Sequence, residues 1–415
     1  MRRRPRECRY VPGVDGTIAI VGASLAGLRA AETLRREGHA GPVILLGTEP
    51  HLPYDRPPLS KEFLAGEQEA EQLGLRKQPY DELELDLRLG TTATALDVEG
   101  RVLELDSGDR LPFDGLVIAT GAAPRRLPDQ PDLDGLFVLR TLADAQAIRA
   151  RLDARPRVVV IGAGFIGSEV AATCRVRGLD VTVLEALPVP MVRGVGEVIG
   201  AVCGELHRDH GVDLRTGVAV AGFEGDGRVE RVRFADGSAL DADLVVVGVG
   251  VAPATAWLEG SGLTLDNGVV CDQTCLAAPG IVAAGDVARW SNPLFGGRSM
   301  RLEHWTNATE QGVHAAHRLL VDDADALPFA PVPFVWSDQY DVKIQTVGAI
   351  QGDDEVVVAH GSLEERRFVA LFGREGRLVG ALGFSRPRLV MQYRAMLANG
   401  ASFDEALAHA RDSQQ

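Results

Sequence analysis

Residues 17–61, TIAIVGASLAGLRAAETLRREGHAGPVILLGTEPHLPYDRPPLSK, decide how the rest of the chain is read. Thr17 to Val21 is an apolar run of strand type, Gly22 to Gly27 is a turn, and Leu28 to Arg36 carries apolar residues at helical spacing. A second apolar run, Val43 to Leu46, leads to Glu49, placed where a carboxylate accepts hydrogen bonds from a ribose hydroxyl pair. Strand, glycine turn, helix and strand make a βαβ unit. Gly22 permits the tight reversal, Gly27 permits close packing of helix on strand, and the first N–H groups of the helix face a pyrophosphate. Ser24 stands where a middle glycine is usual. Its hydroxyl still fits beside a phosphate, although GxSxxG is a weaker signature than GxGxxG. A tight turn in any α/β protein is the competing interpretation, and the remaining sequence weighs against it.

The same pattern returns further on. Arg157 to Ile161 is a strand, GAGFIGSE (162–169) carries a full GxGxxG at Gly162, Gly164 and Gly167, and Val181 to Leu184 ends at Glu185. Each copy runs on into a β-meander, marked by turns at Glu99-Gly100 and Ser107-Gly108 in the first and at Gly225-Asp226-Gly227 and Asp236-Gly237 in the second. Each then closes on parallel text, DGLVIATGAAP (114–124) and DADLVVVGVGVAP (241–253). The first of these stops its strand at Thr120 and Gly121, at the carboxyl edge where ligands lie in doubly wound sheets; Gly250 takes the matching place in the second. Two successive dinucleotide folds imply two dinucleotides and hydride passing between cofactors.

Length and composition set bounds. The 415 residues, 46% hydrophobic and 24% charged, suit two or three soluble domains. A formal charge of -15 argues against a nucleic acid or anionic membrane as partner of the whole molecule. The basic N-terminal stretch MRRRPRECRYVPGVDG has no cleavage-site pattern and reads as a disordered extension. No run of about twenty apolar residues is present, so a membrane-spanning helix is not expected and a cytoplasmic location is. The five cysteines, Cys8, Cys174, Cys203, Cys271 and Cys275, are scattered without CxxC spacing, which fits a reducing compartment. Cys271 and Cys275 lack a second pair of ligands, and loop structure is expected there rather than zinc.

Toward the C-terminus, GIVAAGDVARW (280–290) reads as a strand that presents Asp286. In EHWTNATEQGVHAAHRLL (303–320), Asn307 and Glu310 have the spacing of a capping box. Past Leu327, prolines mark a linker to an α+β unit with strands near Lys343 to Val347, Glu355 to Val358, Arg367 to Leu371 and Leu378 to Gly383, and a helix around Leu389 to Ala398.

Together PYDRPPLSK (53–61), IATG (118–121), VLRTLADA (138–145), GAGFIGSE, AAGD (283–286), EHWTNA (303–308) and WSDQY (336–340) resemble the FAD-dependent pyridine nucleotide reductases, and within them the ferredoxin reductases that serve monooxygenases and Rieske dioxygenases. The resemblance implies an α/β fold of two Rossmann-like domains with β-meanders plus a C-terminal α+β domain. Its bounds are an extension over 1–16, an FAD-binding domain over 17–122 and 253–326, an NAD-binding domain over 123–252 and the C-terminal domain over 327–415. It also implies an NADH-dependent enzyme that passes electrons through FAD to a 2Fe-2S ferredoxin serving a cytochrome P450 or Rieske oxygenase.

The implied FAD residues are Gly22, Ser24, Ala26, Gly27, Glu49, Arg56, Lys61, Ala93, Thr120, Gly121, Arg140, Asp286 and Trp305, and the implied NAD residues are Gly162, Gly164, Gly167, Glu185 and Gly250. Lys61, Trp305 and Trp336 are the implied catalytic group. Thr48 occupies the slot where relatives often carry the acidic ribose ligand, and Ala254 replaces an expected Asn. For the second nucleotide, Glu185 accepts from a ribose 2′-OH and repels a 2′-phosphate, and Arg193 is the only nearby cation, so NADH is expected over NADPH. Two alternatives stand beside this reading. A disulfide reductase or cysteine-dependent NADH oxidase needs a thiol soon after the first βαβ unit, and Leu52 to Leu96 holds none. A non-catalytic NADH-sensing flavoprotein is the other. Arg298, Arg301, Lys343, Arg386 and Arg388 are the candidates for meeting an acidic ferredoxin.

Overall fold

Two short strands without a polar side chain, Ile18–Val21 and Val158–Ile161, are buried along their whole length and lie in the interiors of separate sheets. Parallel strands covered on both faces read as unbroken apolar runs, which is what these segments show. In the computed structural model, which describes residues 15–413, the first sheet runs Leu276–Ala278, Ile281–Ala283, Gly115–Ile118, Ile18–Val21, Val43–Gly47, Leu85–Leu89. All its pairs are parallel except that of the edge strand Leu276–Ala278. The second sheet runs Asp213–Thr216, Val181–Glu185, Val158–Ile161, Leu244–Val247, Leu136–Val138, parallel throughout. The register repeats as well. Ile18 stands opposite Val43 and Gly115, and Val158 stands opposite Val181 and Leu244, so the duplication seen in the sequence is a duplication of strand pairing.

The chain divides into two compact units, one of residues 15–54, 74–122 and 253–331, the other of 55–73, 123–252 and 332–413. All but the last two residues of the expected extension over 1–16, and Cys8 with them, lie outside the described residues. In the first unit the core gathers Ile18, Ile20, Leu34, Leu45, Val117 and Val282 around the sheet and closes it with Ala315, Ala316 and Leu319 of the helix Trp305–Leu320. The meander is a separate antiparallel sheet, Ala93–Asp97, Val102–Leu105, Arg110–Pro112. The second unit has its own meander, Val220–Glu224, Arg231–Phe234, Ala239–Asp241. It also contains a five-stranded antiparallel sheet in the order Phe334–Gln339, Val342–Gly348, Arg377–Phe384, Arg367–Arg374, Glu355–Ser362. The helix Val192–Asp209 buries Val195, Ile199, Cys203 and Leu206 against Ile344, Phe368 and Phe384 of that sheet.

Three boundaries differ from the sequence expectation. The helix expected from Leu28 begins at Leu25, because the second half of the glycine turn is already helical. Phe334–Gln339 is a full strand, paired residue by residue with Val342–Gly348. The chain ends in a further helix, Phe403–Asp412, opened by a reciprocal box in which Ser402 accepts from the Glu405 N–H and Glu405 accepts from the Ser402 N–H. Among the described residues no helix is long and apolar enough to cross a membrane.

Candidate functional site: two nucleotide turns and a buried carboxylate

In the first unit the turn is set by contacts that leave room only for hydrogen. Gly22 has φ 121°, and a Cβ there would stand 2.1 Å from the Ala119 carbonyl oxygen; a Cβ on Gly27 would stand 2.0 Å from the Gly22 oxygen. The helix Leu25–Arg36 that follows receives no capping hydrogen bond from the Ser24 side chain and carries no acid in its first turn. Its opening N–H groups and positive end are thus presented to a ligand anion. Ala26, buried in that first turn, meets the helix Trp305–Leu320 so closely that a Cβ on Gly312 would lie 2.4 Å from its carbonyl oxygen.

This contact brings two further motifs to the turn. Asp286 follows the strand Ile281–Ala283 and is 9% exposed, and the Gly285 N–H before it donates to Gln311 of the same helix at 2.9 Å. Trp305 opens that helix. Thr120 donates through its hydroxyl to the Ala254 carbonyl at 2.9 Å, and the Ala254 N–H returns to Gly121 at 3.0 Å. The backbone of Ala254 therefore makes a contact that needs no Asn side chain. Glu49 lies just past the strand Val43–Gly47 and accepts from the Tyr54 hydroxyl at 2.6 Å, whereas Thr48 is exposed and faces Thr92 at 3.3 Å. Ala93 is buried at the start of the meander.

The capping box expected at Asn307 and Glu310 does not form. The helix starts at Trp305, His304 is its N-cap residue without a side-chain cap, and Asn307 sits inside the first turn, donating to Leu302 O at 3.4 Å and Gln311 Oε1 at 3.1 Å. Here too the first turn lacks an acid. Around it, His304 Nδ1, Asn307 Oδ1 and Thr309 Oγ1 are covered without a hydrogen-bond partner among the described residues. Buried polar atoms are ordinarily satisfied, so the head of this helix carries an unusual cluster of unmet hydrogen-bonding groups.

The second unit repeats the turn with stronger glycine chemistry. A Cβ on Gly162 would lie 2.4 Å from the Gly248 oxygen and one on Gly167 2.0 Å from the Gly162 oxygen, while at Gly164 and Gly250 a Cβ would meet nothing within 4 Å. Those two mark open space at the mouth of the turn. Gly164 caps the helix Phe165–Val176, again without an acid in its first turn. Glu185 closes the strand Val181–Glu185 and accepts from the Ala163 N–H at 2.7 Å and the Leu187 N–H at 2.9 Å. The acid is thereby anchored to the turn itself.

Lys61, Arg56, Arg140 and Trp336 all belong to this second unit. Arg56 donates to the Arg140 carbonyl at 2.6 Å, and Arg140 N–H donates to Asp144 at 3.0 Å. Trp336 stacks on Phe334 with centroids 5.9 Å apart. Lys61 is held by a carboxylate that sequence reading quoted but did not assign: its Nζ lies 3.3 Å from Glu169 Oε2, with the two side chains only 11% and 4% exposed. Ser60 donates to Glu169 Oε2 at 2.5 Å and Ser337 to Oε1 at 2.8 Å. Burial pushes the Glu169 carboxyl up, and Lys61 and the two serines oppose it. The signal was available, since an acid on the buried face of an apolar helix needs partners.

Two other expectations change. Arg301 is not a solvated docking cation: its side chain is 11% exposed, donates to the Asp286 carbonyl at 3.0 Å and pairs with Glu303 at 2.7 Å. Lys343 is tied to Asp338 at 2.5 Å. Arg388 is exposed. The four described cysteines are buried, and burial pushes the Cys275 thiol up to about 12.

A model of the pyridine nucleotide-disulphide oxidoreductase family matches residues 16–312, and one described as Reductase C-terminal matches residues 334–414. The chain is 38% identical to rhodocoxin reductase of Rhodococcus erythropolis over 92% of its own length and 89% of the relative's. It is also 38% identical to the ferredoxin–NAD(+) reductase component of the anthranilate 1,2-dioxygenase system of Burkholderia cepacia, over 93% and 95%. Among solved structures it is similar to the covalent putidaredoxin reductase–putidaredoxin complex, with a TM-score of 0.89 and 34% identity over 97% of this chain and 99% of that one. Both glycine turns fall inside the matched region, and the antiparallel sheet falls inside the second match: the chain belongs to the pyridine nucleotide-disulphide oxidoreductase family.

Proposed function

We propose that this chain is an NADH-dependent ferredoxin reductase, which passes electrons from NADH by way of FAD to a 2Fe-2S ferredoxin of the kind that serves a cytochrome P450 or a Rieske oxygenase. The observation that carries it is the presence of two glycine turns of the same register in one chain whose curated relatives are named reductases of such systems. FAD is favoured over FMN because the first copy has a complete βαβ unit with an acid after its second strand, which only an adenosine ribose would use. When bound, the flavin supplies the exchange between two-electron and one-electron chemistry.

The protein's own groups bind and orient. Gly22, Ser24, Ala26 and Gly27 would offer backbone to the FAD pyrophosphate, and Glu49, which accepts from the Tyr54 hydroxyl, would take the ribose hydroxyls. Asp286, with its carbonyl fixed by Arg301, takes the ribityl hydroxyls. The positive end of the helix Trp305–Leu320 favours negative charge at the flavin's pyrimidine side. Gly162, Gly164 and Gly167 receive the NADH pyrophosphate, and Glu185 accepts from the ribose hydroxyls. Lys61 is held in a buried setting by Glu169, which also accepts from Ser60 and Ser337.

The disulfide-reductase alternative needs a reactive thiolate. The described cysteines are buried, and burial raises Cys174, Cys203, Cys271 and Cys275 alike, which is the opposite of activation. The test is to purify the protein, extract its cofactor and mix it with NADH and a 2Fe-2S ferredoxin. FAD in the extract and NADH-dependent bleaching of the ferredoxin are expected. FMN in the extract would overturn the cofactor assignment. Fast disulfide or oxygen turnover with no ferredoxin reduction would overturn the activity.

A further inference from the structure

We propose that Gln339 is a positioning residue for Lys61: its amide donates to Ser337 and so turns the serine hydroxyl's hydrogen onto Glu169, the buried carboxylate that holds the lysine. The inference rests on the reading that Lys61 serves the reduction of the flavin by NADH, and it adds a residue that has no part in that reading.

The chain of contacts lies inside the second unit. Ser337 and Gln339 are alternate residues of the strand Phe334–Gln339, so both side chains leave the same face, and both are 0% exposed. Gln339 Nε2 lies 3.2 Å from Ser337 Oγ, and Ser337 Oγ lies 2.8 Å from Glu169 Oε1. On the other carboxylate oxygen, Ser60 Oγ stands at 2.5 Å and Lys61 Nζ at 3.3 Å. Asp338, between the two strand residues, leaves the opposite face and pairs with Lys343. Among the described residues, Lys61 is the charged group that acts on Glu169.

Counting hydrogens sets the direction of these bonds. An amide can present either its oxygen or its nitrogen, and its neighbours decide which. At Nε2 the second neighbour is Met191 Sδ at 4.0 Å, an acceptor with no hydrogen to give. The nitrogen therefore belongs on that side, and Oε1 is covered without a partner among the described residues. Because Nε2 donates, Ser337 meets Gln339 with a lone pair and keeps one hydrogen, which goes to Glu169 Oε1. Both carboxylate oxygens then face donors, and a carboxyl proton would have to displace one of them.

The consequence reaches Lys61 through charge. Donors aimed at a carboxylate favour its anion, and here they oppose the burial that pushes the Glu169 carboxyl up. A protonated Glu169 would no longer attract the lysine, so the donors that keep the carboxylate ionised also keep Lys61 in place. A glutamine that merely filled space could be exchanged for methionine without moving the titration of a carboxylate two hydrogen bonds away.

The lysines supply the probe. Lys61, Lys77 and Lys343 are the three in the chain, so protein carrying isotopically labelled lysine gives three side-chain magnetic resonance signals, assigned with Lys77→Arg and Lys343→Arg. The purified holoprotein is titrated with acid, and the Lys61 signal reports the pH at which Glu169 takes up its proton. Flavin reduction by NADH is timed over the same range. Gln339→Met keeps the side-chain length and removes the donor, Gln339→Leu removes it in a second way should methionine fold poorly, and Ser337→Ala removes the next link. Each is expected to raise the transition by about one pH unit, a tenfold change in proton affinity that matches the loss of one hydrogen bond to a charged group. The rate profile should move in the same direction. Ser337→Thr keeps the hydroxyl and is expected to titrate as wild type. A wild-type transition in the folded Gln339 variants would overturn the role of Gln339, and equal shifts in Ser337→Thr and Ser337→Ala would overturn the role of the hydroxyl. Failure of NADH to reduce the wild-type flavin would overturn the reading on which the inference rests, and that result is distinguishable because the lysine signal is read without NADH.

Discussion

Glu49 and Glu185 are the acids at the end of the βαβ unit in each copy; by strand register Glu185 matches Gly47 and Glu49 lies two residues further on, and the two are held in different ways. Glu185 ends its strand and is fixed by two backbone N–H groups, one of them from the glycine turn. Glu49 lies beyond its strand and is fixed by the hydroxyl of Tyr54, from the proline-rich segment that follows. The second arrangement is complete within one βαβ unit, whereas the first depends on the chain after it. Preorganisation of this kind reduces the ordering cost of binding, which suits a coenzyme that arrives and leaves in every turnover. Past the acid the copies diverge further: the first runs into the short helix Glu62–Ala65 and its neighbours, and the second into the long helix Val192–Asp209.

The largest effects should come from the glycines that both copies share. Gly27→Ala and Gly167→Ala each place a methyl 2.0 Å from a backbone carbonyl oxygen, which side-chain motion cannot relieve. Each should destabilise its unit by about 3 kcal/mol, at the upper end of ordinary overpacking. Gly27→Ala should leave the purified protein nearly colourless. Gly167→Ala should keep its flavin and lose its response to NADH. A colourless Gly167→Ala would break the assignment of one nucleotide to each copy.

A smaller effect is expected at Glu185. Its replacement by Ala removes an anchored acceptor worth about 2 kcal/mol, or roughly thirtyfold in NADH affinity. With Ala186→Arg added, preference should move toward NADPH, because repulsion of a 2′-phosphate gives way to attraction. The measurement is the rate of flavin reduction against the concentration of each coenzyme. Wild-type protein that is reduced faster by NADPH would contradict the role given to this carboxylate.

How much of this was legible in the sequence follows from what fixes each element. Gly22, Gly27, Gly162 and Gly167 were readable because only glycine satisfies the close approach that the turn needs, and the strands because buried parallel strands have no polar face. The capping box at Asn307 was misread, since spacing alone does not say where a helix starts, and a chain entering through His304 puts Asn307 within the first turn. Glu169 and Ser337 were quoted within motifs but not joined, because they are far apart in sequence and only the fold brings the carboxylate to the hydroxyl. Arg301 was misjudged for a similar reason: an arginine in an arginine-rich chain is solvated by default, and its bond to the Asp286 carbonyl is tertiary.

The long helix of the second unit supplies a pH test. His207 is fully buried, shares a hydrogen bond of 2.8 Å with the Tyr340 hydroxyl, and has its pKa lowered by burial to about 4. The unfolded chain takes up that proton near pH 6.5, before the folded chain does, so the stabilising contribution is present above that pH and declines as pH falls toward about 4. Between about pH 7 and about pH 5.5 this amounts to about 1 kcal/mol. Urea unfolding at the two pH values should show wild type losing more stability than His207→Gln. An equal loss in both would remove His207 as the source.

The smallest effect separates the two arginines that sequence reading treated alike. The net charge of -15 repels an acidic ferredoxin at long range, so productive encounter requires exposed cations near the docking face. Arg301 is committed inward, to the Asp286 carbonyl and to Glu303, whereas Arg388 is exposed near the start of the helix Pro387–Ala398. Charge reversal should therefore act on different steps. Arg301→Glu should weaken flavin retention, because it removes the guanidinium that positions Asp286 and sets a second acid beside it. Arg388→Glu should leave flavin content and its reduction by NADH unchanged and slow ferredoxin reduction by about threefold at low ionic strength, the size expected of one solvated charge. That slowing should shrink as added salt shortens the screening length below about 10 Å. Stopped-flow traces resolve the two half-reactions. Should Arg301→Glu keep its flavin and slow only the ferredoxin step, the inward assignment of Arg301 is wrong; should Arg388→Glu match wild type at every salt concentration, docking runs through other residues.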